Sequence, residues 1–424
     1  MKVLVIGSGG REHAIVWSLL KNRKVDKVYC CPGNAGISRM AECLDIRSDD
    51  FKALTDLARY EWIDFTVVGP EQPLAAGIVD AFQKEGLKII GPVQRAAMLE
   101  ASKVFAKEFM RDHGIPTAAY KVFSSYLHVE EHLRMMGAPV VIKADGLAAG
   151  KGVVVALTVE AAMDAARLIM KERAFGDAGD RVVVEECIEG EEASFMVFTD
   201  GRTILPMVSA QDHKRAYDGD RGPNTGGMGA YSPAPVVTPA MEKIVMDTIM
   251  RPVINGLRKG GIKYKGFLYA GLMIRDGRPY VLEFNCRFGD PEAQAVLMRL
   301  ETDFLDILTA IHDETLDGLD LRWKPGASVC VVMASGGYPG GYENGKIITG
   351  IDSRYGADVQ IFHSGTVFRD NQPVTSGGRV LGVTALGRDV ADARAKAYEA
   401  VGKINFQGAH YRKDIAHRAL NRPG

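Results

Sequence analysis

The first hundred residues constrain the fold most. Four apolar runs, VLVIG (3–7), KVYCCP (27–32), DFTVVG (64–69) and LKIIGP (87–92), lack the polar alternation of a strand with one wet face. Between them lie helical patterns, EHAIVWSLLKN, FKALTDLARYEW and AAGIVDAFQKEG. Strands buried on both faces and separated by helices predict a parallel sheet covered on either side. Ligands of such sheets gather at the carboxyl ends of the strands. Here those ends are GSGG, CPGNAG, GPEQPL and GP, all rich in glycine and proline.

After residue 100 the pattern changes. SKVFAKEFMRDHG reads as a helix with Ser102 as its N-cap. APVVIKADGLAAGKGVVVAL (138–157) reads as strand, loop and strand, an antiparallel hairpin. The helical VEAAMDAARLIMKERAF and the strand VVVEECI complete a small α+β unit. Residues 211–232 hold five glycines and no apolar period, and so predict a long irregular functional loop. YAGLMIRDGRPYVLEFNCRFGDPEAQ (269–294) reads as a second hairpin running into a loop. From about 328 the chain is strand-rich (SVCVVMAS, DVQIFHSGTVF, RVLGVTALG) and closes on a helix, DVADARAKAYEAVGKI. The expected class is α/β and α+β multidomain, with a parallel-sheet domain at 1–100, two α+β units at 101–192 and 193–327, and a small β-rich domain at 328–424.

Length and composition agree: 424 residues, 46% hydrophobic and 25% charged, suit a soluble globular chain of several domains. A net charge of −1 offers no bulk attraction to nucleic acid or a membrane surface. The six cysteines form no CxxC pair, which argues against a disulfide framework or a zinc site, and adjacent Cys30 and Cys31 read as core. The opening VLVI is too short for a signal peptide, and no run approaches the ~18 apolar residues of a membrane span. A cytoplasmic, reducing setting is expected.

The glycine-rich loops carry the chemistry. In GSGGREHA the sixth position of a dinucleotide fingerprint is Glu12 rather than glycine. The second strand ends in Cys31-Pro32, without the acid that binds a ribose hydroxyl. Both departures oppose a nicotinamide site. What remains is a helix start whose N–H groups, from Gly9 and Gly10, suit a phosphate. GLAAGKG (146–152) resembles a P-loop but has one residue too few, and Gly152 stands where magnesium would need Ser or Thr. Its glycines and Lys151 could nonetheless close over a triphosphate as a hairpin lid. Lys143 lies in an otherwise apolar strand. Glu283 and Asn285 stand two apart on a strand, so their oxygens face one side, as a magnesium site for polyphosphate requires; Arg287 keeps the same parity.

Taken in order, SKVFAKEFM, VVIKADGLAAGKGV, VEECIEGEEAS and LEFNCRFGDPEAQ resemble the ATP-grasp superfamily, whose two α+β units hold ATP between them. GSGGREHA, GPEQPL, QDHKRAYDGDRGPNTGGMGAYSP, RFGDPEAQ and the late YRKDIAHRAL extend the resemblance nearly end to end, to the phosphoribosylamine–glycine ligase family in its single-activity form. The resemblance implies an ATP-grasp core at 101–327, with Lys103, Lys143, Gly150, Lys151 and Gly152 at the ATP phosphates. It places Glu185, Glu186 and Ile188 at the adenine edge, Glu192 at the ribose, and Mg²⁺ or Mn²⁺ on Glu283 and Asn285. No carboxylate stands near Ala270, where many relatives of the superfamily have one, so a sparse metal site is expected.

The implied reaction activates glycine as glycyl phosphate, and the amine of 5-phosphoribosylamine then attacks. Lys143, Arg287 and Asp212 are the expected catalytic groups. The last two are assigned by charge to glycine's carboxylate and ammonium. Gly9, Gly10, Glu71 and Asp290 are expected to hold substrate, and His13 and His213 to be structural. Partners are therefore the small molecules ATP, glycine and 5-phosphoribosylamine, with no nucleic acid or membrane, acting on a monomer or weak dimer. A carboxylating ATP-grasp enzyme would lack RFGDPEAQ, and a non-catalytic nucleotide sensor would have lost Lys143, Glu283 or Asn285.

Overall fold

The first domain is built on five parallel strands in the spatial order Glu42–Cys43, Lys27–Pro32, Lys2–Gly7, Phe65–Val68 and Ile89–Ile90. The architecture comes from a computed structural model that describes residues 1–148 and 152–422. Val3 to Gly7 are fully buried, as the unbroken apolar run requires. The strand order reverses on either side of Lys2–Gly7, so the crevice at its carboxyl end is the switch point at which such sheets take ligands. The stretch after Val68, expected as loop, instead begins a short helix, Glu71–Ala75, directly after Pro70.

The ATP-grasp pattern follows as two antiparallel sheets. The smaller one runs Tyr120–Phe123, Val182–Glu186, Val140–Ala144, Val153–Ala156, with helices Tyr126–Met136 and Val159–Met170 packed on one face. The larger one runs Ile204–Pro206, Glu191–Thr199, Gly266–Arg275, Arg278–Asn285. Asp276 and Gly277, both at positive φ, make the two-residue turn that twists with its flanking strands. Opposite Gly271 the ladder slips: Gly271 pairs with Glu283 but Leu272 with Val281, so Leu282 is a bulge residue whose carbonyl leaves the ladder.

Helices Glu292–Arg299 and Phe304–Asp313 fuse this layer to the first domain in one continuous core containing Val5, Ile15, Phe267, Phe288 and Leu297. Phe288 stacks on Phe267 with centroids 4.2 Å apart, so the RFGDPEAQ segment is anchored in the core immediately beside its charged residues.

The region 211–232 departs from expectation. It holds four short strands: Arg215–Tyr217 pairs with Arg221–Asn224, and Gln211–Asp212 pairs with Gly229–Ser232. Gly229–Ser232 then joins the C-terminal sheet against Ala327–Ala334, which continues through Arg379–Gly387 to Val359–His363. Those partners lie about a hundred residues or more away, so no local period announces the strands. The six cysteines are unpaired, with Cys30 and Cys31 in the core. Among the described residues no helix is long and apolar enough to cross a membrane.

Candidate active site

A cavity of about 490 Å³ opens where all these units meet. Its walls come from the helix Lys103–Asp112, the hairpin strand Arg278–Asn285, the 212–226 region, the first domain and Arg379 of the C-terminal sheet.

One wall is cationic. Ser102 caps the helix by accepting from Phe105 N at 3.0 Å, which places Lys103 at its first turn, with Nζ donating to Gly146 O at 2.8 Å. Lys107, one turn on, is fully buried; its Nζ donates to Thr117 Oγ1 at 2.6 Å and lies 3.0 Å from Glu185. Lys143, buried and not itself in the lining, reaches the same carboxylate at 2.9 Å and donates to the bulge carbonyl of Leu282 at 3.0 Å. Burial lowers the pKa of Lys103, and brings that of Lys107 down to about 8. Two lysines thus share one buried carboxylate, a charge excess suited to an anion.

Glu185 is therefore not a free acceptor at an open edge: its carboxylate is engaged by both lysines. Glu186 accepts from Ala119 N at 3.1 Å, and neither it nor the buried Ile188 lines the cavity. Glu192 pairs with Lys214 at 3.0 Å. Gly152 lines the cavity, whereas Gly150 and Lys151 lie outside the described residues.

The facing wall carries oxygen. Glu283 is 38% exposed, with Lys214 its nearest cation at 3.9 Å. Burial would raise its pKa, but Lys214, Lys103, Lys143 and Arg287 together hold it below the usual value. Asn285 lies beside it in the lining. The Glu283 carboxylate and the Asn285 carboxamide oxygen, which also accepts from Arg287, are hard donors, and they fit a small divalent ion completed by phosphate and water. Among the described residues there is no grouping of three His, Cys, Asp or Glu side chains that would form a denser site.

Arg287 is more committed than expected. Its guanidinium bonds Glu71 at 3.2 Å, Glu100 at 2.8 Å, Asn285 Oδ1 at 3.1 Å and Phe288 O at 3.0 Å. One of its five N–H groups remains for a ligand. Burial opposes the Glu71 charge, but Arg287 and Arg11 outweigh it and bring its pKa to about 2. Asp290 pairs with Arg379 at 3.0 Å and accepts from Gln294 at 2.8 Å. Asp212 is buried in the lining, and its pKa is pushed up to about 7 by burial first, with Glu292 and Glu192 adding to it.

At the first-domain turn the structure corrects an expectation. Gly9 N–H already donates to Glu12 Oε2 at 2.5 Å, and Glu12 also pairs with Arg11 at 2.7 Å. The Glu12 carboxylate fills the switch-point crevice: a Cβ on Gly69 would stand 1.9 Å from Glu12 Oε1, and one on Gly7, at φ +127°, 2.6 Å from Glu12 Cγ. Gly9 therefore has no N–H left for an anion, and a phosphate beside it would meet like charge. Neither Gly9 nor Gly10 lines the cavity, but Arg11 does. His13 Nδ1 accepts from His363 N and His213 Nε2 from Ala416 N; burial brings both rings to about 3, so both are neutral and structural.

Lys107, Lys214, Glu100, Glu292 and Arg379 are site residues that sequence reasoning passed over. Lys107 is four residues from Lys103, hence on the same helix face, and Lys214 is two from Asp212; these spacings were the available signals. Glu100 and Arg379 have none.

Comparison with known proteins accounts for the arrangement. Residues 1–100, 101–293 and 328–418 match the N domain, ATP-grasp (A) domain and C domain of phosphoribosylglycinamide synthetase. The chain is 52% identical to phosphoribosylamine–glycine ligase of Ralstonia nicotianae over 423 residues, covering 100% of both. It is 50% identical to that of Vibrio parahaemolyticus, covering 100% of this chain and 99% of the relative. The crystal structure of phosphoribosylamine–glycine ligase from Thermotoga maritima superposes with TM-score 0.84 at 35% identity, covering 98% of this chain and 100% of that one. Biotin carboxylase from Campylobacter jejuni, at 17% identity and TM-score 0.74 over 100% of this chain and 95% of its own, shares the fold. With matches along its whole length, the chain belongs to the phosphoribosylglycinamide synthetase family.

Proposed function

We propose that the protein joins glycine to 5-phosphoribosylamine at the cost of ATP, giving glycinamide ribonucleotide, ADP and phosphate. The observation that carries this reading is the opposition, across one cavity, of the Lys103–Lys107 helix face to the oxygens of Glu283 and Asn285. Lys103 and Lys143 orient the ATP phosphates, with the glycines and Lys151 of the 146–152 segment as lid. Lys107 and Lys143 share the Glu185 carboxylate, which holds Lys143 in place. The family resemblance assigns the adenine to Glu186 and Ile188 and the ribose to Glu192, although none of the three lines the cavity.

Mg²⁺ or Mn²⁺, held by Glu283 and Asn285, would neutralise the polyphosphate charge. The protein's own part is positioning and charge stabilisation. Asp212, once ionised, accepts from the glycine ammonium, and the remaining Arg287 N–H donates to its carboxylate. The carboxylate oxygen attacks the terminal phosphorus of ATP and displaces ADP; the amine then attacks the carbonyl carbon of the acyl phosphate, phosphate leaves, and the amine's proton passes to the departing phosphate or water. The acceptor's 5-phosphate is assigned to the end of the cavity near the start of the helix Gly10–Leu19. There Arg11 and Arg379 supply positive charge, Asp290 holds Arg379 in place, and Glu71 holds the neighbouring Arg287. The amine nucleophile needs no strong base, in keeping with the neutral, buried His13 and His213.

Mixing the protein with ATP, magnesium, glycine and phosphoribosylamine tests this. ADP should form only when both glycine and the amine are present. ADP release that persists without either one overturns the assignment.

A further inference from the structure

The segment 410–418, HYRKDIAHR, lines no part of the cavity, yet it bonds the Asp212–Asp220 stretch repeatedly. Arg412, fully buried, clasps Asp414 with two contacts of 2.7 Å and reaches Asp220 Oδ1 at 2.7 Å and Arg215 O at 3.2 Å. Asp414 accepts from Gly219 N at 2.8 Å. Ala416 N donates to His213 at 3.1 Å. Arg418 bonds Asp220 Oδ2 at 2.8 Å and the backbone carbonyl of Asp212 at 3.4 Å.

The stretch so held has other, short-range ties: His213 N donates to Gly229 O at 2.9 Å, His213 O accepts from Met228 N at 2.8 Å, Lys214 O accepts from Thr225 N at 2.8 Å, and Lys214 pairs with Glu192 at 3.0 Å. Arg215–Tyr217 and Arg221–Asn224 form an isolated two-stranded ladder with an irregular register, and Gln211–Asp212 contributes only two paired residues to the C-terminal sheet. Such a ribbon is marginal in water without added packing. Yet it delivers Asp212 and Lys214 to the cavity.

We propose that the 410–418 segment is a positioning frame for the reaction, in which Arg418, supported by Asp220 and Arg412, fixes the backbone that aims Asp212 and Lys214. Arg418 itself is a positioning residue: it grips the strand through a main-chain carbonyl and touches no reactant. Arg412, Arg418 and the nearby His417 share the Asp220 and Asp414 carboxylates, so removing Arg418 leaves Arg412 on both and loosens the ribbon locally. The inference rests on the reading of Asp212 and Lys214 as site residues.

The test compares the full-length protein with Arg418→Met and Arg418→Lys. Amide hydrogen exchange of the 212–224 peptides in the free protein reads the frame without reference to activity. Steady-state ADP release reads KM for glycine and for ATP. Arg418→Met should speed exchange in those peptides at least about tenfold while leaving the Lys2–Gly7 strand unchanged. It should also raise KM for glycine about tenfold or more, with Arg418→Lys recovering part of both. Unchanged exchange overturns the frame, and faster exchange with unaltered glycine kinetics reduces it to a structural prop. Should Arg418→Met fail to fold, Asp220→Asn puts the same question. If the unaltered protein ignores glycine, the functional reading fails instead, and the exchange result stands apart from it.

Discussion

The turn at Gly7–Gly10 and the lysine wall around Lys143 both bring donors to the end of a strand, and both resemble anion sites in sequence. They differ in what is left over. At the turn, the Glu12 carboxylate takes the Gly9 N–H and pairs with Arg11, so the helix start is satisfied from within. At the wall, one Glu185 serves both Lys107 and Lys143, and among the described residues Lys103 holds only a backbone carbonyl, so positive charge exceeds negative on that side. An anion site is marked less by glycines than by an uncompensated donor set.

Loss of Glu283 sharpens the comparison most, because it removes the oxygen that faces the lysine excess. Glu283→Ala should lower ADP formation by about a thousandfold or more while the far-UV circular dichroism stays native. Activity within tenfold of the unaltered protein would mean that the metal lies elsewhere. Lys143→Met comes next. Removing one preorganised cation should cost ~10²-fold, expressed mainly in single-turnover phosphoryl transfer rather than in KM for glycine. Glu185 keeps Lys107 as partner in that variant, so the fold should survive.

Glu12→Gln examines the other side of the comparison. The amide keeps the shape of the carboxylate but loses the charged pairing with buried Arg11, so unfolding in denaturant should show a loss of about 1–3 kcal/mol. KM for ATP should move less than about threefold, since the turn is not the nucleotide's seat. A large change in KM for ATP, with stability intact, would reverse the roles assigned to the two regions.

Much of this was legible along the chain, and for definite reasons. The parallel sheet, the Ser102 cap, the Asp276-Gly277 hairpin and the shared face of Glu283 and Asn285 all follow from local periodicity or capping, which a single segment displays. Glu12 could be read as a missing fingerprint glycine, but not as the group that fills the crevice, because Gly69 comes near it only in the fold. The strands of 211–232 were illegible because their mutual pairings are only two to four residues long, and Gly229–Ser232 and Arg379 find their further partners in distant segments. Arg287 was found by parity, but its ties to Glu71 and Glu100 depend on helices whose sequences give no sign of them.

The smallest effect concerns Asp212, the one carboxylate of the cavity lifted to about 7. Burial drives the shift, Glu292 and Glu192 add to it, and Lys214 and Arg418 oppose it. The kcat/KM for glycine, which reports the free enzyme, should therefore rise about tenfold between pH 6 and pH 8 as the carboxylate ionises. The sign for stability is the reverse. A folded pKa above the ordinary 3.8 gives a contribution present in full below that value and lost as the pH climbs through about 7. Asp212→Asn should abolish both slopes, so the stability of the unaltered protein relative to the variant should decline from pH 4 to pH 8. A glycine profile with the same limb in the variant would assign that ionisation to another group and leave Asp212 a structural acid, as Glu12 is at the turn.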